Sequence, residues 1–183
     1  MKKVPPVFAA LVCLVSICAP LLATTVVPMS VERLTRASTH VLLAEADSSW
    51  TEWTPDHSLL YTVTRFRVER SIKGQAPETI LVKQMGGVSG AYQQKVAGVR
   101  HWEAGERSVL FVHPSRSKDG RYVVTGVMQG NFAVKSDAAD PIVSNGIDGV
   151  EALDPETHTM KSYRGSAMRL SQLESRVRRA ATQ

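Results

Sequence analysis

The sequence predicts a mainly β fold: a small barrel or sandwich of five or six short strands, with a short helix before it and a second helix at the C-terminal end. Three observations carry this. Apolar residues alternate with period two through the middle of the chain, turn formers interrupt the runs at short intervals, and helical spacing appears towards the two ends. The 183 residues are 43% apolar and 21% charged. That balance excludes a disordered tail, a collagen-like rod and a polytopic membrane protein.

Residues 1–23 read as a secretory signal peptide. Lys2 and Lys3 form a positive start, Val4 to Ala23 carries no charge, and small residues follow at Ala23, Thr24 and Thr25. Cleavage is expected after Ala23, and Pro5, Pro6 and Pro20 argue against a spanning helix. Ile17 before Cys18 and Val12 before Cys13 do not suit a lipidation site. Removal of the segment takes both cysteines with it, so disulfides and thiolate metal sites drop out of consideration. Because Lys2 and Lys3 leave and no acidic residue does, the net charge falls from +5 to +3. So small an excess is the solvated surface of an ordinary domain, and nucleic acid is not an expected partner. The remaining residues, 24–183, are expected to form one secreted or periplasmic domain with no transmembrane span.

Ser30 is placed to cap a helix over Val31–Ala37, with Glu32 in its first turn. Val41–Ala46 reads as the first strand. Leu59–Val68 reads as the second, with Leu60, Thr62, Thr64, Phe66 and Val68 on one face and Tyr61, Val63, Arg65 and Arg67 on the other. Thr79–Lys83 is a third strand, and Ser108–Val112 pairs with Arg121–Val127 across a turn at Lys118-Asp119-Gly120. Another short strand starts at Asn131. Residues 135–165 show only turn markers such as Asp140-Pro141 and Asn145-Gly146. Leu170, Leu173, Val177 and Ala180 recur at helical intervals, with Ser171 and Glu174 at capping-box spacing. The barrel core is thus expected over about 40–134 and the last helix over about 171–181.

Three phrases together, Tyr61–Gly74, Gly105–Val112 and Arg121–Phe132, carry a resemblance. The chain resembles a family of uncharacterised secreted bacterial proteins over most of residues 24–181. Over about 40–134 it is more distantly similar to the netrin-like OB barrels of the tissue inhibitors of metalloproteinases. The resemblance implies a five-stranded OB-like barrel and no established activity. The inhibitors chelate their target's metal through an N-terminal cysteine, which this chain lacks after cleavage, so that mechanism does not carry over.

Catalytic signatures are scarce. The sequence has no His-Glu-x-x-His, no Gly-x-Ser-x-Gly and no phosphate-binding Gly-x-x-x-x-Gly-Lys. Gly86-Gly87-Val88-Ser89-Gly90 has the wrong spacing for a nucleophile elbow, and His101 and Glu103 form no recognised metal cluster. No catalytic residue, metal site or cofactor is expected. Two tryptophans, Trp50 and Trp53, fall in a polar connection from Ser48 to Ser58, while Tyr92 and Trp102 fall in a long loop, Gly86–Gly105. Each either packs over a barrel opening or meets a partner. The expected function is a non-enzymatic secreted or cell-envelope binding module for a protein or glycan, using loops at one barrel end. Its expected contacts are Trp50, Trp53, Tyr92 and Trp102, with Arg100 and His101 as polar neighbours. The alternative is a small secreted hydrolase built on the Gly86–Gly105 loop, with Ser89 served by His101 or His57.

Overall fold

Two runs of the chain are apolar without interruption, Val41–Ala44 and Val109–Val112, and such runs suit strands covered on both faces. They lie side by side in a closed five-stranded barrel. The computed structural model describes residues 27–182 except 97, 147–149, 154–156, 158 and 164; the signal-peptide reading of residues 1–23 lies outside them. Strands β1 (His40–Trp53), β2 (Leu60–Lys73), β3 (Thr79–Met85), β6 (Arg107–Pro114) and β7 (Tyr122–Val124) form the barrel in the order β1-β2-β3-β7-β6, and β6 closes it on β1. Every barrel pair is antiparallel except β3 with β7. Strands β8 (Asn131–Val134), β9 (Ile142–Ser144) and β12 (Ala167–Arg169) extend the sheet outward from β6. Two small hairpins, β4 (Gly87–Ser89) with β5 (Tyr92–Gln94) and β10 (Val150–Leu153) with β11 (Met160–Tyr163), stand apart. Helices α1 (Val31–Ala37) and α2 (Leu170–Ala181) complete the described elements.

Period-two alternation divides the apolar residues into two cores. Leu42, Ala44, Phe66, Ile80, Val82, Leu110 and Val112 fill the barrel. Their neighbours Val41, Leu43, Val109 and Phe111 point outward, where Leu34 of α1 and Leu173 and Val177 of α2 cover them together with Phe132 and Val143. That second layer is why β1 and β6 have no polar face.

The helices are joined to each other as well as to the sheet. The Arg176 guanidinium donates to both oxygens of Glu32, at 2.8 and 2.9 Å. This fork holds the Glu32 carboxyl at about 2 rather than its ordinary 4.5, against a smaller opposing effect of burial. The contribution is therefore full above pH 4.5 and is lost as the pH falls towards 2. Both side chains are about a third exposed, so solvent screens part of it. Glu32→Gln should flatten the acid limb of stability over that range, measured as urea midpoints at a series of pH values. A slope unchanged from the parent chain would show that the fork contributes nothing.

Several local expectations are corrected. The capping box does not form at Ser171, because the N-cap is Arg169, two residues earlier, whose backbone N–H donates to Gln172 Oε1 at 3.1 Å. Asp140 accepts instead from the Ser171 backbone N–H at 2.9 Å and its hydroxyl at 2.8 Å, which hold the Asp140 carboxyl below its usual value. Glu174 is buried and pairs with Arg70 and Arg178. The first strand does not stop at Ala46: after a register shift between Ala46 and Ser48 it runs on to Trp53, so both tryptophans stand on a strand. Its polar tail pairs with β2 as far as Trp53 opposite Leu60, and pairing overrides the loop-like composition. The Gly86–Gly105 loop contains β4 and β5, and residues 135–165 contain β9, β10 and β11. These strands are three or four residues long, too short to show a period.

Candidate functional site

The extended hairpin presents two different faces. Trp50 and Glu52 lie on the face of Tyr61 and Val63, where Trp50 Nε1 donates to Glu52 Oε1 at 2.6 Å. Arg121 clamps the same carboxylate at 2.6 and 2.9 Å, and Arg121 first, then Trp50, keep its pKa below the ordinary value. Thr51 and Trp53 lie on the opposite face, under the β4–β5 hairpin. Thr51 donates to the Val88 carbonyl at 2.9 Å and Trp53 Nε1 to the Ser89 hydroxyl at 3.2 Å. Gly87 makes this cover possible, since a Cβ there would lie 2.6 Å from Thr62 Oγ1 and 2.7 Å from Thr51 Cγ2.

The expected site residues are therefore not one cluster. Trp53 and Tyr92 do meet, with ring centroids 4.9 Å apart, and His57 stands 6.1 Å from Trp53 on the other side. Trp50 is on the reverse of the hairpin. Trp102 is only 3% exposed; it packs edge-on against Phe66 at 4.9 Å inside the barrel, with Nε1 directed at Asn131 Oδ1 at 3.4 Å. Of the two readings open to it, Trp102 takes the structural one. Arg100 is exposed and paired with Glu106, and His101 Nε2 is 3.3 Å from the Met85 carbonyl. Ser89 accepts from Trp53, and no hydrogen bond joins it to a histidine among the described residues. No group of three His, Cys, Asp or Glu side chains suited to a metal occurs among the described residues, and none of their helices is long and apolar enough to cross a membrane.

A concave feature lies where the barrel seam opens. β3 and β7 are paired at a single position, Val82 with Tyr122. The next parallel position would set Gln84 against Val124, and that pair does not form. A cleft of about 550 Å³ occupies the parting, walled by Lys83, Gln84 and Met85 on one side and Val123 and Val124 on the other, with Arg116 and Val127 at its rim. A second cavity of about 350 Å³ adjoins it, floored by Gln84, Asn131 and Asn145 and edged by Arg100 and Lys135. Val99 lines both and also a third recess, which reaches His101 and Val88.

Two features of this surface are costly to the fold by itself. Gln84 is 7% exposed, and its Oε1 has no hydrogen-bond partner among the described residues; an unsatisfied buried acceptor costs about 1–3 kcal/mol. Val127 holds φ at 61°, a left-handed backbone that a β-branched residue adopts only under strain of about 1–3 kcal/mol. Lys83 reaches Ser117 Oγ at 2.6 Å and Asp119 Oδ2 at 2.7 Å, pinning the β6–β7 loop over the outer sheet. Burial opposes ionisation of Asp119, but hydrogen bonds from Lys83 and Ser117 outweigh it and hold the carboxyl at about 2. Sequence reasoning missed this cleft, although one signal was present. Ile80, Val82 and Gln84 follow the inward period of β3, which places an amide where an apolar side chain is expected. When the chain is compared with known proteins, no family model matches it and no curated protein matches it.

Proposed function

We propose that the protein is a non-enzymatic binding module of the cell envelope or extracellular space, which takes its ligand in the seam cleft between β3 and β7. The observation that carries this reading is the cleft of about 550 Å³ at the barrel seam, which has an apolar wall and the buried amide side chain of Gln84 in its lining. The strained Val127 on the rim of the same cleft supports the reading, since such backbone persists where the surroundings have a use for it. Arg100 lines the smaller cavity and His101 the third recess, while Trp53 and Tyr92 meet each other outside all three. The distant likeness to netrin-like barrels is part of the proposal, because OB barrels bind along the face of their second and third strands and at the adjoining loops. Secretion rests on the layout of residues 1–23.

The test is site-specific crosslinking in the native envelope. A photo-reactive residue at Met85, which is 39% exposed in the cleft wall, should trap a discrete product. The same residue at Arg36, exposed on α1, serves as the control. A product at Met85 alone supports the reading; equal labelling at both positions, or none at either, overturns it.

A further inference from the structure

We infer that the occupant of the seam cleft is an extended polypeptide segment bearing acidic side chains, which pairs with the open edge of β3. This deepens the binding reading and rests on it. The argument begins with backbone direction. Gly86 N–H donates to the Leu60 carbonyl and Val68 N–H to that of Glu78, both at 2.7 Å, so the even-numbered residues of β3 turn their peptide groups towards β2. Leu81, Lys83 and Met85 therefore turn theirs towards β7. Ser115 N–H donates to the Arg121 carbonyl at 2.7 Å, which by the same alternation turns Tyr122 and Val124 towards β3.

The bridge at Val82 and Tyr122 uses the first of these groups and then the ladder stops. The alternation would next join the Val124 N–H to the Lys83 carbonyl and the Met85 N–H to the Val124 carbonyl; no second bridge forms there among the described residues, so at least one of these two bonds is missing. A row of unpaired main-chain groups is what an added strand recognises. The two cavities flanking Gln84 offer separate recesses for successive side chains. Lining residues such as Met85, Val99, Val123 and Val127 make one wall apolar.

Charge selects among polypeptides. Arg116 lines the larger cavity and Lys135 the smaller, beside Lys83 and Arg100, whose charges Asp119 and Glu106 already meet, and no carboxylate lines either cavity. Arg116 and Lys135 have no ion-pair partner among the described residues. An inserted segment with apolar and acidic side chains matches this lining.

The test uses hydrogen exchange on the folded, isotope-labelled chain of residues 24–183. The probe is the set of alternating apolar and acidic peptides enriched from a displayed library on that chain. Bound peptide should slow exchange of the Met85 and Val124 amides about tenfold, as a newly formed ladder bond would. It should bind about tenfold more weakly to Arg116→Glu, a substitution at the rim. An enriched peptide that leaves both amides exchanging at their free rates overturns strand pairing. So does an anionic oligosaccharide that fills the cleft while no peptide enriches. If no peptide enriches but Met85 still crosslinks to envelope material, the polypeptide inference fails and the binding reading stands. If Met85 traps nothing as well, both fail.

Discussion

Trp102→Ala is expected to destabilise the fold by about 3–5 kcal/mol, the range for truncating a large buried aromatic. The side chain lies among Phe66, Ile80, Val82, Leu110 and Val112 inside the barrel, and its removal leaves a cavity that strands fixed by their ladders cannot collapse to fill. It also removes a donor directed at Asn131, whose side chain is buried at the floor of the smaller cavity. Trp50→Ala and Trp53→Ala form the contrast. Trp50 is 38% exposed and Trp53 is half-buried at the hairpin tip, so each should shift stability by no more than about 1 kcal/mol. Urea unfolding of the three variants separates the two classes of tryptophan. A Trp102→Ala midpoint close to that of the parent chain would contradict its place in the core.

Leu173→Ala is expected to cost about 2–5 kcal/mol and to loosen the C-terminal helix before the barrel melts. Leu173 is fully buried where α2 meets the outer faces of β1 and β6, between the Val31–Leu34 pair of α1 and the sheet residues Val41, Val109 and Phe111. Loosening of α2 uncovers part of the apolar outer face, because Leu173 and Val177 cover Val41, Leu43, Val109 and Phe111 together with Leu34, Phe132 and Val143. Binding of a hydrophobic dye should therefore rise at denaturant concentrations where the near-ultraviolet signal of barrel-buried Trp102 is still native. Simultaneous loss of both signals would show that helix layer and barrel unfold as one unit.

Much of the fold can be read from local pattern. The alternation from Leu60 to Val68 places each side chain on the face where it is found, although Val63, on the outer face between Trp50 and Lys83, is fully buried. Ser30 caps α1 as its position implies, accepting from Arg33 N–H at 3.2 Å. The site was much less legible. Trp50 and Trp53 look like a pair in sequence, yet an odd spacing on a strand sends them to opposite faces, and only the pairing of Ser48–Trp53 with β2 makes that segment a strand. Trp102 sits in a glycine-rich stretch that gives no sign of entering a barrel.

By itself the sequence determined the class, the longer barrel strands and the two helices, because alternation and helical spacing are set by which residues must leave water; the three- and four-residue strands left no such pattern. It also determined which large side chains on the regular strands fill the core. The tertiary structure alone decided that β3 and β7 part after one bridge, that Gln84 Oε1 is left there without a partner among the described residues, and that Val127 is held in a left-handed backbone at the rim. These depend on how far two strands distant in sequence can follow each other around a closed barrel. That limit is set by barrel geometry and by Lys83 tying the β6–β7 loop to the sheet.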